Sequence, residues 1–195
     1  YGICPQTLTD TVLMRMKDMY SWSIKQEWLT WLPGMVCGLN ISCRALAEQA
    51  SQVITNTPVY PPFLSSPRNS GLSCTKVPMV PKDGRFTIDF NHLRNLQTKK
   101  GDLFMFCHPH NPVGTNFTRN ELTRLSEYVI ERDLYICSDE IHCDLILEQS
   151  MLHIPFASLS EEIASRTITL MAPSKTFNLA GFGCSFAVIS NGELR

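Results

Sequence analysis

An excess of charge of either sign and long apolar runs are both missing from this sequence, and each absence excludes a class of protein. Charged residues make up 18% of the 195 residues, and 17 basic side chains against 18 acidic ones leave a net charge of −1. A chain without excess positive charge has no electrostatic attraction for nucleic acid or for an anionic membrane surface. No apolar stretch approaches the roughly 18 residues that a membrane helix needs. We therefore expect neither nucleic acid nor a membrane as a partner.

The ends of the sequence lack the features of a complete precursor. The chain begins at Tyr1 without an initiator methionine or a basic-then-apolar signal region, and it ends at Arg195 without a tail. Its hydrophobic fraction of 44% is enough for one sizeable core. We expect residues 1–195 to form a single domain that is a piece of a longer polypeptide.

Cysteine is present but too sparse for a disulfide scaffold. The chain has eight cysteines, well below the roughly 8–10% of residues that is typical of such scaffolds. They lie in apolar surroundings, as at Phe106-Cys107 and Ile136-Cys137. The simplest interpretation is a set of reduced, buried thiols in a cytoplasmic protein.

What the sequence does contain is an alternation of helical and strand patterns. Apolar residues recur at helical spacing over 9–20 and 36–50, and Thr118 with Glu121 forms a capping box that predicts the start of a third helix. Residues 60–71, rich in proline and serine, predict a turn-rich loop. Short apolar runs predict buried strands at 103–107, 134–137, 167–171 and 185–189. The alternation predicts βαβ units, and hence an α/β fold with three α/β/α layers around a mostly parallel sheet.

Three residues with distinctive chemistry each follow one of these predicted strands. They are Asn111, Asp139 and Lys175. Because ligands bind beyond the carboxyl ends of the strands in such sheets, we expect the amide, the acid and the amine to converge. This set suits pyridoxal phosphate: the lysine forms a Schiff base with the aldehyde, the aspartate holds the proton of the ring nitrogen, and the asparagine donates to the ring oxygen.

Two further segments fit the same cofactor. Gly34, Met35 and Val36 lead into a predicted helix, whose N-terminal N–H groups suit a phosphate, and Gly34 lets the backbone approach closely. Tyr60 follows another strand end, where its ring can stack on an aromatic ligand. Each motif alone has a simpler interpretation, because Asn-Pro-x-Gly is a common turn and Asp-Glu is often a helix cap. Their combination, in this order and each at a strand end, favours a cofactor site.

With these residues, the sequence resembles the class I and II aminotransferases, which are fold-type I pyridoxal-phosphate enzymes. Within that family it is most similar to the cystathionine β-lyase branch, the C–S lyases. The resemblance runs over essentially the whole chain, and the stretches that carry it are 27–36, 57–63, 108–114, 138–142 and 174–181. It implies that residues 1–195 are the pyridoxal-phosphate-binding large domain of a longer enzyme, incomplete at both ends.

The resemblance implies roles for the residues around the cofactor. Lys175 would bind the aldehyde, Asp139 would pair with the pyridine nitrogen, and Asn111 would hydrogen-bond the ring hydroxyl oxygen. Tyr60 would stack on the ring. The phosphate would be held by the backbone of Met35 and Val36 beside Gly34, with Ser174 nearby.

One position favours the lyase branch, and two depart from the family's pattern. His142 stands where many aminotransferases carry a tyrosine that touches the ring oxygen. Ile3 stands where a tyrosine often reaches the phosphate of the neighbouring subunit, and Ala172 stands where serine or threonine is common. Each departure removes a side-chain contact to the phosphate, unless Tyr1 replaces the first. The family also implies a homodimer with the active site at the subunit interface.

The resemblance implies β-elimination of a sulfur amino acid, a small-molecule substrate, by a cytoplasmic enzyme. Transamination is the alternative, because the residues that read the substrate, including the arginine that grips its carboxylate, lie outside this chain. An inactive module that binds the cofactor or a partner is the alternative from another class, and inactivity is expected for the chain alone. A metal site is a further alternative, but no CxxC pair is present and no spacing fits a zinc signature. Its ligands would come from Cys107, His108, His110, Cys137, His142 and Cys143.

Overall fold

The computed structural model describes residues 4–195 and places nine strands among them. They are β1 (Leu29–Leu32), β2 (Gln52–Thr57), β3 (Ser73–Pro78), β4 (Val80–Lys82), β5 (Arg85–Thr87), β6 (Leu103–Cys107), β7 (Tyr135–Asp139), β8 (Thr167–Met171) and β9 (Ser185–Val188). Seven of them form one sheet in the order β1-β9-β8-β7-β6-β2-β3, while β4 and β5 form a separate hairpin. The sheet is parallel from β3 to β8, and β9 is antiparallel to both β8 and β1. The predicted mostly parallel sheet is confirmed.

Helices cover both faces of this sheet. They are α1 (Gln6–Tyr20), α2 (Met35–Leu46), α3 (Pro62–Asn69), α4 (Phe90–Asn95), α5 (Arg119–Glu131) and α6 (Glu161–Ala164). On one face, Leu39 of α2 and Phe63 of α3 share a buried cluster with Met105 of β6. On the opposite face, Leu125 of α5 packs in a cluster with Phe104, the neighbour of Met105 on β6. Because successive strand residues point to opposite faces, this division confirms the three predicted layers.

Most predicted elements are confirmed, with their ends shifted by a few residues. The helix predicted over 36–50 ends earlier, at Leu46. The strand predicted over 134–137 continues to Asp139, so that this acid ends the strand instead of following it. The capping box at the start of α5 is present: the Glu121 N–H donates to Thr118 Oγ1 at 3.3 Å, and the Thr118 N–H donates to Glu121 Oε2 at 2.8 Å.

The loop predicted over 60–71 is wrong, because Pro62–Asn69 form helix α3. Pro62 stands in the first turn, where proline's missing N–H costs no hydrogen bond. Phe63 and Pro67 are both buried on the same face of the helix. Tertiary burial of this face therefore outweighs the low helix propensity of a segment rich in proline and serine.

The register of the parallel strands aligns their carboxyl ends. Cys107, the last residue of β6, is the partner of Asp139 at the end of β7, and Asp139 is the partner of Leu170 in β8. The segments that follow these three strands therefore leave the sheet side by side. This alignment is what brings the predicted site residues to one edge.

Burial of the cysteines agrees with the prediction only in part. Four cysteines are buried, but Cys4, Cys37, Cys74 and Cys184 are partly exposed, so the expectation of eight buried thiols is wrong for these four. All eight are free thiols. Within residues 4–195, no helix combines the length and the apolar character that crossing a membrane requires.

Candidate active site

A cavity of about 460 Å³ opens at the carboxyl edge of the sheet. Sites for small ligands typically measure roughly 300–1,000 Å³. The structure places every residue predicted to bind the cofactor in the wall of this one cavity, while the role of each remains a prediction. These residues are Gly34, Met35, Val36, Tyr60, Asn111, Asp139, His142, Ser174 and Lys175.

Asp139 is a buried acid that lines the cavity and forms no ion pair with any of residues 4–195. It is 4% exposed, and its Oδ1 accepts a hydrogen bond from the backbone N–H of Ile141 at 3.2 Å. Burial raises the pKa of Asp139 to about 7; the hydrogen bond from the Ile141 N–H opposes this rise in part, and the charge of the adjacent Glu140 adds to it. A carboxyl group in this state would be stabilised in its ionised form by a positively charged ligand atom. The position suits a protonated ring nitrogen.

Glu140, the next residue, is held differently. It is fully buried, and its Oε1 accepts from Ser138 Oγ at 2.8 Å and from the Phe156 N–H at 2.9 Å, while its Oε2 lies 2.7 Å from Nε2 of His153. Protein groups thus satisfy both oxygens of Glu140. The hydrogen bonds of Glu140 therefore stabilise the end of β7 within the core, whereas Asp139 lines the cavity.

The loop that carries Asn111 is fixed from two sides. The Asn111 N–H donates to Sγ of Cys107 at 3.3 Å, and this thiol donates to the carbonyl of Pro109 at 3.4 Å. The Asn111 carbonyl in turn accepts from the backbone N–H of Tyr60 at 3.1 Å. These contacts join the segment after β6 to the segment after β2. They hold the amide of Asn111 and the ring of Tyr60 at the same cavity.

Lys175 lies in the exposed loop between β8 and β9. Two backbone hydrogen bonds fold the loop around it: the Phe177 N–H donates to the Pro173 carbonyl at 2.9 Å, and the Leu179 N–H donates to the Ser174 carbonyl at 2.8 Å. Burial lowers the pKa of His142, and the positive charge of Lys175 lowers it further. The imidazole of His142 is therefore neutral near pH 7, and it lines the same cavity as Lys175.

The start of α2 has the features of an anion site. Its first residue is Met35, and Gly34 at the N-cap offers no side chain to cap the N–H groups of the first turn. Uncapped N–H groups and the positive end of the helix dipole both attract an anion such as a phosphate. Met35 and Val36, which line the cavity, supply the first of these groups.

Gly183 is a glycine of the cavity wall at which two backbone segments approach each other closely, whereas the close approach of a phosphate to Gly34 remains a prediction. Gly34 has an extended φ of 170°, which any residue adopts, and a Cβ built there would meet nothing within 4 Å. Gly183 has a φ of 59°, and its Cβ would lie 3.0 Å from the carbonyl oxygen of Pro33. Gly183 therefore lets the lysine loop approach the segment that leads into α2.

Sequence reasoning missed several residues of the cavity wall, among them Phe63, Cys107 and Gly183. Phe63 was hidden by the wrong loop prediction. Cys107 carried a usable signal, because it is the last residue of a predicted strand and directly precedes the Asn111 loop. Gly183 carried none, since its neighbour Pro33 lies far away in the sequence.

The two departures from the family pattern have different outcomes. Ala172 lies in the cavity wall and is buried, so no hydroxyl is available at this position. Tyr1 and Ile3 lie outside the described residues. Within the described range 4–195, no group of three or more His, Cys, Asp or Glu side chains is placed to hold a metal ion.

Comparison with known proteins shows a match over nearly the whole chain. Residues 5–194 match the family model described as aminotransferase class I and II. Cystathionine beta-lyase PatB from Bacillus subtilis is 39% identical over 193 residues, which are 97% of this chain and 49% of that protein.

Solved structures give the same result. The crystal structure of OvoB superposes with a TM-score of 0.95 at 44% identity, covering 100% of this chain and 52% of that one. A PLP-bound protein described as a putative aminotransferase, from Clostridium difficile 630, superposes with a TM-score of 0.92 at 34% identity over 100% of this chain and 50% of that one. The chain thus spans about half the length of the proteins that it matches.

Proposed function

Since the chain belongs to the family of class I and II aminotransferases, we propose that the protein is a pyridoxal-phosphate-dependent enzyme that cleaves the C–S bond of a sulfur amino acid by β-elimination. The observation that carries this proposal is the single cavity that collects Asn111, Asp139 and Lys175. We favour β-elimination over transamination because a cystathionine beta-lyase is 39% identical to this chain.

The cavity fits this cofactor on two independent observations. Asp139 is a buried carboxyl group with no cationic partner in the described part of the chain, which suits a protonated pyridine nitrogen. The first turn of α2 lacks a side-chain cap, which suits a phosphate. When bound, pyridoxal phosphate supplies an aldehyde carbon and an electron-withdrawing ring.

The residues of the chain would divide the work by their positions. The backbone N–H groups of Met35 and Val36 would bind the phosphate, with Ser174 beside them. Asp139 would hold a proton on the ring nitrogen, and Asn111 would donate its amide N–H to the ring oxygen. These contacts would orient the ring and favour its charged form.

Other side chains would act on the rest of the ring and on the substrate. Tyr60 would cover one face of the ring, and His142 would lie beside the ring oxygen. Lys175 would first bind the aldehyde and, once the amine of the substrate has displaced it, would accept the α-proton at Nζ. Departure of a thiolate from the β-carbon, followed by hydrolysis, then yields pyruvate, ammonia and a thiol.

Transamination is the second candidate, and a specific observation supports it. A PLP-bound protein described as a putative aminotransferase is 34% identical to this chain, over the whole of this chain and 50% of that protein. Both reactions begin with the same proton transfer to Lys175. They differ in their later steps, which depend on substrate-binding residues outside this chain.

We also propose that the protein acts as a homodimer in the cytoplasm. Two large apolar side chains near the cavity are exposed, Phe177 at 58% and Phe182 at 82%. Both belong to the lysine loop, and Tyr60 at the cavity is 41% exposed. A second copy that covered these groups would remove apolar surface from water. Sedimentation at micromolar concentration should give twice the mass of one chain, and a monomer would contradict this proposal.

The reaction can be tested with the protein at its full natural length, loaded with pyridoxal phosphate and given cystathionine. We expect pyruvate and a free thiol in equal amounts, and no product from Lys175→Ala. Formation of a keto acid that retains the sulfur would instead favour the aminotransferase. Equal turnover by Lys175→Ala would contradict both. Lys100→Ala, which alters an exposed lysine outside the cavity, serves as the matched control.

A further inference from the structure

Asp144 is a carboxylate near the cavity that the proposed reaction does not use. It lies five residues after Asp139, in the turn that follows β7, and three side chains donate hydrogen bonds to it. Its Oδ1 accepts from Arg15 Nη2 at 2.5 Å and from Tyr20 Oη at 2.7 Å, and its Oδ2 accepts from Thr176 Oγ1 at 2.7 Å. These donors come from two distant segments, helix α1 and the lysine loop.

Thr176 directly follows Lys175, and its hydrogen bond to Asp144 connects the lysine loop to the turn that follows β7. Across residues 173–184 of the described chain, no other side chain forms a hydrogen bond. The side chains from 177 to 183 are exposed, so packing within this chain contributes little to holding this loop. The backbone turns around Lys175 shape the loop locally, but within residues 4–195 only Thr176 forms a side-chain hydrogen bond from the loop to the segment that carries Asp139.

The other two donors make Asp144 a firm anchor. Arg15 and Tyr20 belong to α1, which packs on the sheet through Val12 and Met16. The ring of Tyr20 also contacts His153 edge-on, with centroids 5.5 Å apart. Burial alone would raise the pKa of Asp144, but the hydrogen bonds from Tyr20 and Thr176 and the charge of Arg15 outweigh it, so the carboxylate stays ionised.

We propose that Asp144 is a positioning residue that, through Thr176, holds Lys175 at the place where it meets the cofactor. The proposal rests on the proposed function, because it assumes that Lys175 binds the cofactor aldehyde. Helix α1 holds Asp144 in place through hydrogen bonds, and Asp144 in turn holds the lysine loop by accepting a hydrogen bond from the hydroxyl of Thr176. Loss of this hydroxyl would let Lys175 sample positions away from the cofactor and would slow its reaction with the aldehyde.

The test measures how fast added pyridoxal phosphate becomes covalently attached to the cofactor-free protein, by the rise of the visible absorption band. Thr176→Val removes the hydroxyl at nearly constant volume, and Thr176→Ser keeps it. Loss of a hydrogen bond to a charged acceptor changes an equilibrium constant by a factor of at least about ten. We expect Thr176→Val to slow attachment about tenfold and Thr176→Ser to stay within about twofold of the wild type. Asp144→Asn should slow attachment as well, because a neutral amide accepts these bonds less strongly.

Two controls separate positioning from general damage. Thr75→Val removes a threonine hydroxyl bond on the edge strand β3, and Asp133→Asn removes an ion-paired carboxylate outside the cavity. Neither should change the attachment rate. The melting temperature of cofactor-free Thr176→Val should match that of Thr75→Val, since Asp144 keeps its bonds to α1.

The possible results are distinguishable. An attachment rate for Thr176→Val within about twofold of the wild type would overturn the positioning role. Equal slowing by Thr176→Ser would overturn it too, because the hydroxyl would then not matter. If the wild-type protein never forms the band, the proposed function itself fails, and this inference fails with it.

Discussion

Asp139 offers the sharpest prediction, because its burial without a cation should cost the cofactor-free protein stability in a way that depends on pH. The pKa of Asp139 is raised from 3.8 to about 7 by burial. In the unfolded chain the carboxyl ionises near 4, while in the folded protein it stays protonated until about pH 7. Between these values the folded state binds one more proton than the unfolded state, so rising pH lowers the free energy of unfolding.

The magnitude follows from the size of the shift. About three pKa units at roughly 1.4 kcal/mol each give a loss of about 4 kcal/mol that is complete above pH 7. Asp139→Asn removes the titration while its side-chain oxygen can still accept from the Ile141 N–H. We therefore expect Asp139→Asn to match the wild type near pH 4 and to exceed it by up to about 4 kcal/mol at pH 8.

The assay is urea unfolding of both cofactor-free proteins from pH 4 to pH 8.5, followed by circular dichroism. Only the difference between the two proteins is interpreted, so other titrating groups cancel. Asp133→Asn is the matched control: hydrogen bonds from Arg166 and Lys100 lower the pKa of Asp133, so its loss should never stabilise the protein. A difference that stays constant with pH, or an Asp139→Asn protein less stable than the wild type at pH 8, would refute the reasoning. Adding pyridoxal phosphate should stabilise the wild type more than Asp139→Asn.

Two further predictions concern the structure around the cavity. Glu140→Ala should lower the free energy of unfolding by about 3–9 kcal/mol, because it leaves three buried hydrogen-bond partners unsatisfied at roughly 1–3 kcal/mol each. Urea unfolding should show a smaller loss for Glu140→Gln and almost none for Glu127→Ala, which alters an exposed side chain. Gly183→Ala should lower the free energy of unfolding by about 1–2 kcal/mol, because residue 183 has a left-handed backbone conformation. It should also weaken pyridoxal phosphate binding, because the added Cβ presses on the carbonyl oxygen of Pro33. Gly181→Ala has open space at its Cβ and should change neither quantity in calorimetry or a binding titration.

Much of the fold follows from local patterns in the sequence. The apolar run Leu103–Cys107 and the capping box at Thr118 predict their elements because both signals depend on neighbouring residues only. Helix α3 was mispredicted because its stability comes from burying Phe63 against the sheet, which no local pattern reports. Helix propensity is a weak guide where tertiary packing decides.

The residues of the candidate site also fall into two groups, those that the sequence predicts and those that depend on contacts across the fold. Asn111, Asp139 and Lys175 could be found because each lies at or just after the end of a strand, and the parallel topology brings strand ends together. The requirement for glycine at Gly183 could not be found, since it depends on a contact with Pro33 across the fold. The anchoring of Thr176 by Asp144 is equally invisible in the sequence, because it exists only once α1 and the lysine loop have met.

Lys175 is the residue proposed to bind pyridoxal phosphate covalently in this cavity. The most direct measurement is borohydride reduction of the cofactor-loaded protein, followed by proteolysis and mass spectrometry of the peptides. We predict one modified residue, Lys175, with no modification of the other lysines and none anywhere in Lys175→Ala. A cofactor attached to another lysine, or no covalent attachment at all, would contradict the account.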